Sequence, residues 1–164
     1  MPEAHDHRHL SAEDLAALLL ERPGVLVRRL HQIHSAMFAD ECAVFGVTPV
    51  QYSLLSLVAA SPGLDQGGAA AALRLDRFTT ADVIKRLVAA RLLRVAAGAD
   101  RRTRRLRLTA DGEEVLAAMQ PSALRAHDRL VEPLPPRERA ALLRMLKRLV
   151  DRHAALGASA PKVR

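Results

Sequence analysis

The chain has 164 residues, 49% of them hydrophobic and only 2% aromatic, and carries 25 Lys and Arg against 18 Asp and Glu for a net charge of +7. That size suits one domain, or a small domain with dimerisation arms, around a helical core of Ala and Leu. The single cysteine, Cys42, excludes an intramolecular disulfide framework, and neither a membrane-length apolar run nor a secretory signal is present, so a cytoplasmic protein is expected.

In chain order, residues 1–10 are polar and His-rich and read as a flexible tail. Ser11 and Asp14 ahead of Leu15, Leu18 and Leu19 predict a capped short helix ending near Pro23-Gly24. A long amphipathic run over 25–45 follows, with Leu26, Leu30, Ile33 and Met37 near helical spacing, and Gly46 stops it. Thr48-Pro49 restarts a helix through Leu54, Leu55 and Val58, which ends before Ser61-Pro62-Gly63. Residues 65–73 predict a third short helix. Asp76 caps a fourth over 77–90, with Val83, Ile84, Leu87 and Val88 turned inward. Strands are expected at 92–96 and 104–108, joined by a Gly-containing loop. Thr109 opens a long helix towards Leu130, kinked at Pro121. Pro135-Pro136 begins a last amphipathic helix striped by Leu142, Leu143, Leu146, Leu149 and Val150, and residues 157–164 are expected to fray.

The charge is concentrated. Between Arg74 and Arg107 lie eleven basic residues and three acids, so the remainder of the chain is close to neutral. Such a footprint fits a polyanion. Phe78 is the only aromatic within it, which argues against base stacking on single strands or RNA and for duplex DNA. Short helices, a two-stranded hairpin and an arginine-tipped loop make a winged helix-turn-helix, mainly α with a small β wing. Arg77, Thr79 and Thr80 at the start of the fourth helix are expected to face base edges, with Lys85 two turns on. Arg101, Arg102 and Arg104 of the hairpin are expected to reach the neighbouring minor groove, with Asp100 expected to pair with Arg102 and hold its angle.

Several segments carry a family resemblance: Gly46-Val-Thr-Pro-Val-Gln-Tyr52, Leu73-Arg-Leu-Asp-Arg-Phe-Thr-Thr80, Arg86-Leu87, Asp100-Arg-Arg102, Leu106-Arg-Leu-Thr109 and Gly112. Together they resemble the MarR family of bacterial regulators, over roughly 28–116. The resemblance implies a homodimer on a pseudo-palindromic operator. The winged part would span 46–109 of a single domain, and the helices at 11–45 and 110–156 would interlock. It also implies that Arg102 enters the minor groove. Where the family often has Gly this chain has Arg91, and a left-handed Arg costs about 1 kcal/mol over Gly, so a differently shaped turn is expected there.

The resemblance further implies an effector cleft where the first long helix meets the second helix and the dimerisation helices. Arg28, His31, His34, Phe38, Gln51 and Tyr52 are the candidates, and they look like the subgroup that senses aromatic carboxylates. A cation pairs with the carboxylate while aromatic and aliphatic groups cover the ring. His31 and His34 as half-buried dimer contacts remain the alternative. A zinc sensor using His31, His34, Glu41, Cys42 and His127 is a second class, although Glu41 stands about 10 Å along the helix from His34. Redox sensing by Cys42 is a third, disfavoured by the negative charge of Glu41. No cofactor, resident metal or catalytic motif is expected.

Overall fold

The computed structural model describes residues 11–97 and 104–153. The elements are α1 (Ala12–Leu20), α2 (Pro23–Glu41), a 3-10 turn (Ala43–Phe45), α3 (Pro49–Ala60), α4 (Gln66–Leu73) and α5 (Arg77–Ala89). They are followed by β1 (Leu93–Ala97), β2 (Arg104–Leu108), α6 (Ala110–Val131) and α7 (Pro136–Arg152). Among the described residues no helix is long and apolar enough to cross a membrane.

Caps set most boundaries. Ser11 and Asp14 form a reciprocal capping box at α1, and Thr48 and Gln51 form another at α3. Asp65 caps α4 from outside rather than joining it, accepting from the Gly68 N–H at 2.7 Å. Pro23 does not end α1 as expected. It stands in the first turn of α2, where its fixed φ fits and its missing N–H costs nothing, and Glu21-Arg22 make the connection. α6 continues through Pro121, whose ring lies on an exposed side where the freed carbonyl can meet water.

Both α4 and α5 end in Schellman closures with an arginine at the left-handed position. Arg74 has φ 53° and Arg91 φ 59°. Around the first, the Leu75 N–H donates to the Ala70 carbonyl at 3.0 Å; around the second, the Leu92 N–H donates to Leu87 at 3.0 Å. The expectation of a differently shaped turn at Arg91 is therefore corrected: the usual turn forms, and arginine bears its strain. Because Leu92 is spent on that closure, β1 begins at Leu93, one residue later than the sequence suggested.

The hairpin is antiparallel, with Leu93 opposite Leu108 and Val95 opposite Leu106. Leu93 and Leu106 enter the core with Phe38, Leu54, Leu55, Val58, Ala69, Leu87, Met119, Ala123 and Ala126. Two hydrogen bonds fix the hairpin to the loop between α3 and α4. The Leu106 N–H donates to the Leu64 carbonyl at 2.7 Å, and Arg105 Nη1 donates to the Gly63 carbonyl at 2.8 Å. Thr109 has a double role: its hydroxyl accepts from the Gly112 N–H at 3.0 Å and donates to the Arg91 carbonyl. Gly112 is buried so tightly that an added Cβ would lie 2.0 Å from the Leu92 carbonyl oxygen. The Leu-Thr and Gly112 positions are thus a latch between wing and α6.

Candidate nucleic-acid interface and effector cluster

The capped N-terminus of α5 is the best-defined part of the basic region. Asp76 Oδ1 accepts from the Phe78 and Thr79 N–H groups at 2.9 Å each. Its other oxygen accepts from the Thr79 hydroxyl at 2.6 Å. Thr80 is fully buried, and its hydroxyl donates to the Asp76 carbonyl at 2.9 Å. Both threonines were expected to face base edges. The conformation instead commits Thr79 to the cap and Thr80 to the core, because N-terminal hydroxyls find the helix's own unpaired groups first. Arg77 and Lys85 are exposed, as expected of groups that reach outward, and Phe78 stands between them in sequence, also exposed. Asp82, which would repel a phosphate, pairs with Arg86 at 2.8 Å.

Arg104 is exposed at the start of β2. Asp100, Arg101 and Arg102 lie outside the described residues. Lower on the hairpin, Arg94 and Arg107 stand directly opposite each other and are both exposed. They border a cavity of about 330 Å³ with Val58, Pro62 and Glu113.

The effector candidates divide. His34 is half-buried on α2 and stacks on His127 of α6, with ring centroids 4.8 Å apart and planes at 22°. Phe38 follows at 6.2 Å from His34, and Tyr52 of α3 lies 5.8 Å from Phe38. His34 Nε2 is out of contact with solvent and has no hydrogen-bond partner among the described residues. Burial first, then His127 and His31, hold its pKa below the usual imidazole value. Phe38 is a core residue, 1% exposed, so it can floor a ligand site only through a small part of its ring. Gln51 is occupied by its cap, accepting from the Thr48 N–H at 2.8 Å. Arg28 and His31 are exposed on α2. His127 completes the cluster, and the sequence had weighed it only as a metal ligand. A histidine 93 positions away carries no local signal that it will stack on His34.

Glu41 and Cys42 have other work. Glu41 accepts from Arg125 Nε at 2.9 Å and from Arg129 Nη1 at 2.8 Å, and Arg129 also reaches Asp40 at 2.7 Å. The hydrogen bonds from Arg125, then Arg129, hold the Glu41 carboxyl below its usual pKa although burial opposes them. These pairs clamp α2 to α6. Cys42 is buried; burial, then Glu41, raises its thiol pKa while Arg125 opposes, which makes it a poor nucleophile. Among the described residues no three His, Cys, Asp or Glu side chains are grouped to hold a metal ion.

Comparison with known proteins agrees in kind. A family model described as the MarR family matches residues 45–103. A Thauera aromatica protein assigned to transcriptional regulation of the hcr operon is 34% identical over 63% of this chain and 63% of its own length, so the match spans less than two thirds of that relative. The structure of BpsR from Bordetella bronchiseptica, whose DNA binding is regulated by 6-hydroxynicotinic acid, is 31% identical. It superposes with a TM-score of 0.76 over 80% of this chain and 95% of that one. The repressor CouR bound to a 23-mer DNA duplex is 32% identical, with a TM-score of 0.74 over 80% of this chain and 94% of that one.

Proposed function

The chain belongs to the MarR family, and from that premise we propose that it is a homodimeric, sequence-specific duplex-DNA-binding repressor released by a small aromatic carboxylate. The observation that carries the first half is the capped, outward-facing start of α5 beside an arginine-rich hairpin on one winged scaffold. Arg77 and Lys85 supply charge to the major groove, and Arg101, Arg102 and Arg104 supply it to the flank. On this reading Arg102 enters the minor groove and Asp100 braces it.

The dimer follows from the ends of the chain. α1 and α7 bury no residue, and Leu143, Met145, Leu149 and Val150 are exposed along α7. A second copy would cover these faces and fix the separation of the two α5 helices.

The effector reading rests on the unpartnered His34 Nε2 near the half-buried Tyr52, which packs on the core residue Phe38. A carboxylate there would supply the missing partner, with Arg28 and His31 as further cations at the rim. Because α2 and α6 also carry the dimer arms, a ligand wedged between them favours one separation of the recognition helices. Affinity for DNA then falls by the ligand's preference for that state. BpsR, with its regulation by 6-hydroxynicotinic acid, supports this ligand class.

A gel-shift titration on the chain's own upstream region tests both halves. Wild type should bind, Arg102→Ala should bind more weakly as an intact dimer, and an aromatic carboxylate should release wild type but act weakly on His34→Ala. Undiminished binding by Arg102→Ala would contradict the wing assignment. Release by zinc or peroxide instead would favour the metal or redox alternative.

A further inference from the structure

The exposed edge of α5 holds a side chain that charge and hydrogen bonding to DNA do not use. Phe78 is 78% exposed, whereas Phe38 is 1% exposed. Its backbone is pinned, since its own N–H and that of Thr79 both donate to Asp76. The ring is therefore presented from a fixed first turn. At helical spacing, positions 78, 81, 82 and 85 share one face. On that face Ala81 is small enough to allow close approach, Asp82 is neutralised by Arg86, and Lys85 projects into solvent.

A phenyl ring neither donates nor accepts a conventional hydrogen bond, so it cannot read the polar code of a base edge. In the major groove the apolar group that varies with sequence is the 5-methyl of thymine. Arg77 and Lys85 bracket Phe78 with the charge that would bring it to a polyanion. We propose that Phe78 packs on a thymine 5-methyl group in each operator half-site and is a specificity-determining residue for that position. This rests on the DNA-binding reading above and deepens it, replacing Thr79 and Thr80 as the readers at this end of α5.

The test uses full-length protein and duplexes that wild type enriches from a random-sequence library. Each thymine is replaced singly by deoxyuridine, which removes only the methyl, and affinity is read by fluorescence anisotropy. Wild type should lose about fourfold at one thymine per half-site, the value of one apolar carbon removed from water. Phe78→Ala should bind less tightly and be indifferent to uracil at that same position, and Phe78→Leu should restore part of the discrimination. Indifference of wild type to uracil at every thymine of a tightly bound duplex would overturn the proposal while leaving DNA binding intact. So would a Phe78→Ala variant with the full uracil penalty. Failure of wild type to enrich any duplex would overturn the DNA-binding reading itself, and this proposal with it.

Discussion

The winged centre of the molecule and its terminal helices are built from similar residues but finished differently. In α3, α5 and the hairpin, Leu54, Leu55, Leu87, Leu93 and Leu106 are all at or below 2% exposure. In α7, Leu149 and Val150 are 55% and 53% exposed although the helix has a clear apolar stripe. The centre is completed by its own chain, through caps, the Arg91 turn and the Gly112 latch. The ends have apolar faces that their own chain does not cover. Mutations in the two regions should therefore report on different quantities, stability in one and association in the other.

The largest effect is expected at the latch. Gly112→Ala places a methyl against the Leu92 backbone, which no side-chain rotation relieves, and should cost about 3 kcal/mol in urea unfolding. An unchanged midpoint would mean that the wing and α6 are not so closely joined. Next comes Leu149→Glu. On a monomer surface it should change stability by no more than about 0.5 kcal/mol, but in a dimer it buries two carboxylates. Sedimentation should show a shift towards monomer with secondary structure retained. Retention of a dimer as tight as wild type would remove α7 from the interface.

A smaller effect of opposite sign is expected where arginine bears a left-handed turn. Arg91→Gly should stabilise the protein by about 1 kcal/mol, and its effect on DNA affinity would show whether the side chain is used there. The smallest is a pH dependence. His34 is held below its ordinary value of 6.5, so the unfolded chain takes up the proton first. Stability is full above about pH 6.5 and falls as pH drops through the folded value. His34→Phe should flatten that part of a urea-midpoint profile. Glu41 adds a second decline below its ordinary 4.5, because its arginine partners favour the carboxylate.

The sequence carried the fold well because its signals are local. Ser11, Thr48, Asp76 and Thr109 each sit at the start of a helix as capping residues should, and the alternation in 104–108 sets the strand. Pro23 misled because proline both ends helices and begins them. The site was less legible. Exposure of Phe78 against burial of Thr80 depends on which side of α5 meets α3 and the hairpin, and a two-residue difference in helical phase decides it. Likewise the pairing of His34 with His127, and of Glu41 with Arg125 and Arg129, is set by how α6 lies along α2. No spacing within either helix encodes that choice.

The central claim is that two covered ends hold two exposed readers on one duplex, and the stoichiometry of the bound complex tests it most directly. Sedimentation of full-length protein with an enriched duplex should give two chains per duplex, with tight binding lost when one half-site is scrambled. One chain per duplex, or undiminished affinity for a single half-site, would contradict it.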